Sequence, residues 1–331
     1  VTITHNAFRH FTGDADCIGI QAGGSNGAIQ NVVISGNSFV KCLVAIELVP
    51  VDGSNNRISG TQVLRNYFAD GLAEGVSLGI AGIVGHPVAT GNVIDSTLVE
   101  GNVIVRQAFW GVAIEAGRDN ASGNAIRNTQ IVNNLLVGAP GVSGSGLYLN
   151  GGNQGATTNQ LANVQITNNT ITRHAVAAMY LSTNGSGGAS GNAITDLAIS
   201  NTIMWDNVIE FNGAERPTQL GFSVTKTPAL IGRNGNISAD PLFADAANGD
   251  FRLRTGSPAI RAGTSAGAPA LDLECRARAG TPDMGAFASS GAATCSIPTS
   301  FWDAGSNLNT TAVRLGRHVR PSYDRPVRRP H

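Results

Sequence analysis

One short unit recurs along the first two thirds of this chain and restricts the fold more than any other feature. At Val1, Val32, Thr61, Thr97, Thr129, Val164 and Leu197 an alternating apolar stretch begins and runs into an Asn or Thr, as in Val1-Thr-Ile-Thr-His-Asn and Thr129-Gln-Ile-Val-Asn-Asn. The starts lie 31, 29, 36, 32, 35 and 33 residues apart. A near-constant period of this size marks a repeat architecture.

Each repeat carries three short pieces with the alternation of half-buried strands. In the first, Ile3, Ile34, Val63, Val99, Ile131, Ile166 and Ile199 point inward. Two residues past the Asn stand Phe8, Phe39, Phe68, Ile104, Leu136, Ile171 and Met204. The second piece supplies inward pairs from Ile20 with Ala22, through Val112 with Ile114, to Ile209 with Phe211. The third supplies Ile29, Ile58, Ile94, Ile126, Leu161 and Ile194. Like stands over like in every column, which implies parallel strands stacked about 4.8 Å apart. With no helical pattern between the strands, the chain is expected to close on itself as an all-β parallel β-helix of about seven three-stranded coils.

Composition agrees. Only 13% of the 331 residues are charged, and 42 are Gly. Short strands and tight turns need little else. Asn6, Asn37, Asn66, Asn102, Asn134 and Asn169 share one column at a turn. Asn tolerates the left-handed backbone and can bond its copies above and below, so this column is expected to be a structural ladder.

The pattern [Val/Ile]-x-Ile-x-x-Asn-x-[Ile/Phe]…Gly-[Ile/Val]-x-[Ile/Leu]…Asn-x-Ile, over residues 1 to about 212, resembles the right-handed parallel β-helix repeat of the pectate lyase-like superfamily. The resemblance implies a solenoid and, among many activities, polysaccharide lyases, hydrolases, epimerases and adhesins. A second resemblance covers about 236–288. Asp240-Pro-Leu-Phe, Gly249-Asp-Phe-Arg-Leu, Gly256-Ser-Pro-Ala-Ile and Thr281-Pro-Asp-Met-Gly-Ala-Phe look like the C-terminal segment of secreted bacterial β-helix proteins. That implies a β-helix over 1–235, a capping segment over 236–288 and an irregular, Arg/Pro-rich tail over 289–331. From Thr311 onward the tail holds six Arg against one Asp, within a chain of zero net charge.

Four Cys form two local pairs, Cys17 with Cys42 and Cys275 with Cys295. Disulfides and an extracellular, cell-surface or periplasmic home follow, the alternative being four buried thiols. No apolar run is long enough to span a membrane, and nothing suggests nucleic acid. Val1 starts inside a strand, so the first coil is expected to be trimmed, or to meet a partner or another copy head to tail.

Chemistry is expected on one face. Four residues past the turn Asn runs the column His10, Lys41, Asp70, Arg106, Gly138, Arg173, Asp206. Beside it the outward column of the second strand reads Gln21, Glu47, Ser77, Ala113, Tyr148, Tyr180, Glu210, extended by Glu115 and Asn150. Arg106 and Arg173 could neutralise a uronate carboxylate while Tyr148, Tyr180 or His174 move protons, the parts β-elimination needs. Lys41, Glu47, Glu115 and Asn150 would bind substrate. Ca²⁺ is the candidate cofactor, but Glu47 and Glu115 stand isolated, and Asp240, Asp245 and Asp250 lack the compact spacing of a calcium loop, so these three are read as turn formers. The expected partner is a polysaccharide or cell-surface glycan, met by a lyase more readily than by a hydrolase. The other reading is a non-catalytic adhesin or a filament subunit.

Overall fold

The computed structural model describes residues 1–11, 16–51, 53–81, 88–139 and 144–291. Apart from one antiparallel pair, Phe243–Asp245 with Asp250–Leu253, its strands form three parallel sheets wound into a β-helix. Sheet A is eleven-stranded, and sheets B and C are seven-stranded. Stacked residues match like to like as the sequence predicts: Ile3 pairs Ile34, Val99 pairs Ile131, and Leu136 pairs Ile171. One continuous aliphatic core fills the coil, and Ile34, Leu48, Phe68, Ile94, Ile114 and Leu161 are fully buried in it. Phe8, Phe39 and Phe68 stack face to face with centroids 4.9 Å apart.

The three-piece reading needs one correction. The ladder Asn breaks the first piece in two. The half before it continues the third piece in sheet A, as the single strands Ala125–Val132 and Gln160–Thr167. The half after it, such as Leu135–Val137, belongs to sheet B. A second correction concerns register. In sheet C, Ile18 and Ile20 align with Ile46 and Leu48, and Phe211 aligns with Met179. The first inward pair is therefore two residues earlier than the alternation suggested, and the last is two residues later. The outward column accordingly starts at Gly19 rather than Gln21 and ends at Asn212 rather than Glu210.

The Asn column forms a ladder. Each backbone N–H from Asn6 to Asn134 donates to the side-chain oxygen of the next Asn, at 2.8–2.9 Å. Asn169, Thr202 and Ser223 continue it to Asn236. The left-handed backbone, however, is not at the ladder Asn. It falls on the residue before it: His5, Gly36, Arg65, Gly101, Asn133 and Asn168, with φ between 51° and 67°. That residue makes the bend, and the extended Asn after it turns its amide inward to meet the next coil.

Sequence reasoning missed a second ladder at another corner. Gly27 donates to Asn56, Asn56 to Asn92, Asn92 to Asn124, Asn124 to Asn159 and Asn159 to Asn192, at 2.7–3.0 Å. These Asn close the variable loops between sheets C and A, so loops of different length rejoin in register.

Residues of the 236–288 segment lie along the outer face of sheet B. The outward column there reads Ala7, Ser38, Tyr67, Val103, Leu135, Thr170, Ile203, apolar mainly where it is covered. Phe251, Leu273, Met284, Ala286 and Phe287 pack against Val103, Leu135 and Ile203 as a second core. The left-handed corner residues fasten the segment: Asn133 donates to the Leu271 carbonyl, Asn168 to that of Asp283, and Asn201 to that of Thr264. Arg278 reaches back to the Asn133 side chain at 2.9 Å. Asp240, Asp245 and Asp250 each accept a local backbone N–H, from Leu242, Asn248 and Arg252.

Cys17 and Cys42 are disulfide-bonded across neighbouring coils. Cys275 is also disulfide-bonded, while Cys295 and residues 292–331 lie outside the described residues. With a sequence separation of 25 residues, the Cys17–Cys42 bond should contribute about 3 kcal/mol by restricting the unfolded chain. Replacing both by Ser is expected to lower the denaturant midpoint accordingly, and an unchanged midpoint would count against that role.

Candidate functional site

The polar column after sheet B has a structural origin. His10, Lys41, Asp70, Arg106, Arg173 and Asp206 all have φ between 53° and 61°. They are the left-handed residues of one corner, where a side chain points to solvent and is best polar. Lys41 is exposed there. Arg106 holds Asp70 of the preceding coil through both Nε and Nη2, at 2.6 and 3.1 Å. That hydrogen bonding raises its already high pKa. Arg173 pairs with Asp206 at 3.7 Å, and its guanidinium stands 5.4 Å from the Phe251 ring centroid.

His174 is not on the surface. It is 8% exposed and tucked against Gly146 of the preceding coil. Burial pushes its pKa down to about 4, a backbone hydrogen bond with Leu136 opposing. Its imidazole is therefore neutral near pH 7 and faces the wall of the solenoid.

Tyr148 and Tyr180 stand on the outer face of sheet C, paired in register. Trp110 extends them into an aromatic stack, with Trp110–Tyr148 centroids 4.0 Å apart and Tyr148–Tyr180 5.3 Å apart. Tyr148, in the middle, is buried, while Trp110 and Tyr180 are half-buried. The stack ends where Tyr180 pairs with Asn212 rather than another ring. The Tyr148 hydroxyl donates to Glu115 at 3.2 Å and accepts from Asn150 at 2.6 Å. Burial, then the Glu115 charge, raises its pKa well above 10. Glu115 is held on its other oxygen by Arg118 at 3.1 Å.

Glu115 is not isolated. Glu47, Glu74 and Glu115 line one cleft with Trp110, Arg118 and Tyr148. Glu74, only 3% exposed, precedes its strand and so escaped a search of strand columns. Arg118 and Trp110 were missed for the same reason, since they flank the alternating part. The sequence-predicted residues thus divide among three places. Tyr148, Tyr180, Glu47, Glu115 and Asn150 share the face of sheet C, Arg106 and Arg173 share the far corner of sheet B, and His174 is interior. Among the described residues no three His, Cys, Asp or Glu side chains are grouped to hold a metal ion.

The class defined by these sheets is a three-sided parallel β-helix carrying an aromatic and acidic outer face. Among solved structures, the chain is similar to the pectate lyase Pel9A, at 11% identity over 82% of this chain and 88% of that one, with a TM-score of 0.25. It is also similar to the periplasmic alginate epimerase AlgG, at 12% identity over 60% and 59%, with a TM-score of 0.21. At such scores the overlap is loose and nothing about chemistry follows from it. No family model and no curated protein matches the chain.

Proposed function

We propose that this protein binds a polysaccharide along the outer face of sheet C, outside the cytoplasm. The observation that carries the reading is the Trp110–Tyr148–Tyr180 stack beside Glu47 and Glu115, while the buried Asn150 spends its amide on the Tyr148 hydroxyl and the Gly152 N–H. The rings are stacked on one another, so their outward edges and the half-buried end rings Trp110 and Tyr180 are what a sugar would meet, and carboxylates accept from its hydroxyls. Repeated coils set such groups at about 4.8 Å intervals, which suits a repeating ligand. The Cys17–Cys42 disulfide supports an oxidising compartment.

The cleft holds three Glu against one Arg, so a neutral glycan suits it better than an acidic one. A lyase acting on acidic glycan, the more specific form of the reading, needs a cation at the uronate carboxylate and an accessible base. On sheet C the Arg118 guanidinium is engaged by Glu115, and Tyr148 is a poor base with a raised pKa. Binding without cleavage is the function this face supports best, and it also serves a surface protein of the adhesin kind.

Tyr180→Ala removes the end ring without opening the core, since the side chain is half-buried on the outer face. Its expected effect is a roughly tenfold weaker affinity for the bound polysaccharide, from loss of about 1–2 kcal/mol of ring contact, with melting unchanged. Calorimetric titration of the wild type and the variant checks it, and equal affinities would remove the aromatic stack from the binding face.

A further inference from the structure

The seam between sheet B and the C-terminal segment holds a half-open cavity of about 180 Å³ that plays no part in the sheet C face. Trp205 and Arg173 line it from the solenoid, and Phe243 and Arg254 line it from the segment. Two guanidiniums and two carboxylates, Asp206 and Asp240, line it, but they are not all paired with one another. Arg173 is shared with Asp206. Asp240 also lines the cavity, but one carboxylate oxygen is spent on the Leu242 N–H at 2.8 Å. Arg254 is exposed, and among the described residues its side chain makes no hydrogen bond or ion pair.

A third cation stands at the rim. The Lys226 ammonium lies 4.1 Å from the Trp205 ring centroid. It is placed there from below: the buried Glu210 accepts the Lys226 N–H and the Thr227 hydroxyl, each at 2.6 Å. Phe243, on the cavity wall, packs edge to face on Phe251 with centroids 5.3 Å apart. A guanidinium without a partner, beside a second one on an aromatic-walled cavity, is an oxyanion receptor, because a planar fork of N–H donors matches a carboxylate or sulfate.

We infer that this seam is a second binding site, taking a small ring ligand that carries one oxyanion, with Arg254 as its principal contact and Trp205 and Phe243 as the walls. The site is independent of the polysaccharide reading, because it shares no residue with the sheet C cleft.

The test uses the full chain and three probes: glucuronate, glucose 6-sulfate and glucose. Binding is followed by titration calorimetry and by fluorescence, with Trp205→Phe to assign the fluorescence change. Saturable binding of either anionic sugar, with glucose at least about tenfold weaker and affinity falling about tenfold or more in Arg254→Gln, is expected from loss of one charge-assisted contact. Arg233→Gln, which removes an exposed charge outside the cavity, should leave affinity as it was. Whichever of the two anions binds tighter names the oxyanion. Binding of neither anion, or equal binding in Arg254→Gln, overturns the proposal. So does glucose binding as well as its acids.

Discussion

Asn134→Ala is expected to lower the unfolding free energy by about 4 kcal/mol. The side chain is fully buried. Its amide donates to the carbonyls of Val99 and Val132 and to Asn169, and its oxygen accepts both N–H groups of Asn102. Alanine leaves the Asn102 backbone N–H without its acceptor and takes the side-chain donor from the Val99 carbonyl, away from water, while the Val132 carbonyl keeps the Gly101 N–H and the Asn169 oxygen keeps the backbone N–H of residue 134. An unsatisfied buried group costs about 1–3 kcal/mol, and neighbouring groups share any relaxation, so the total falls short of the plain sum. Asn6→Ala is the internal control. Asn6 is exposed at the first coil, and among the described residues its side chain bonds only Asn37 and Thr4, so its loss should cost under about 1 kcal/mol. Chemical denaturation of the two variants measures the difference. Equal midpoints would mean that the ladder does not hold the coils together.

Stability should also fall with acid through a window set by His174. Burial holds this histidine neutral, with a folded-state pKa of about 4 against an ordinary 6.5. The unfolded chain therefore binds the extra proton first. The stability is fully present above pH 6.5 and is lost as pH falls from 6.5 toward 4, by on the order of 3 kcal/mol. Asp95 loses its contribution lower down. Burial pushes its pKa up, but hydrogen bonds from Asn128, Ser96 and Arg127 outweigh this and bring it to about 2, so its window lies below 3.8. Burial also raises the Glu100 pKa, which gives an opposing slope in the lower part of the range between pH 7 and 4.5, so the difference in denaturation midpoint between wild type and His174→Met isolates the histidine. The wild type should lose stability relative to His174→Met as the pH falls. Parallel slopes would place the proton elsewhere.

The periodic part of this molecule could be read directly from the sequence. Ile34, Val99 and Ile131 fall into columns because every coil must bury the same position, and Asn66 and Asn102 repeat because each satisfies the next. The left-handed residue beside each was harder to see, since its requirement is conformational. His5, Gly36, Arg65 and Asn133 meet it with different side chains. Asn56, Asn92 and Asn124 stood in plain view as loop ends, but variable spacing hid their stacking. Register slipped at Gly19 and Asn212, where a first or last coil has one neighbour to fix it instead of two.

The site was legible where it follows the coil and obscure where it does not. Tyr148 over Tyr180 is a column relation. Arg106 over Asp70 is one too, and adjacent opposite charges on stacked coils pair with each other before they meet any ligand. Glu74 and Arg118 lie outside the alternating stretch, and only the folded chain brings them to Glu115. Trp205 and Arg254 come together because a segment packs back along sheet B, a tertiary event that no repeat encodes.

The most direct test of the polysaccharide-binding face is affinity electrophoresis in native gels cast with xylan, glucomannan, mixed-linkage β-glucan, pectate or alginate. The wild type should be retarded by at least one neutral polysaccharide more than by either acidic one, and that retardation should largely vanish in Tyr180→Ala while Arg106→Gln migrates like the wild type. Free migration in all five gels, or the same retardation in Tyr180→Ala, would contradict a glycan-binding role for sheet C.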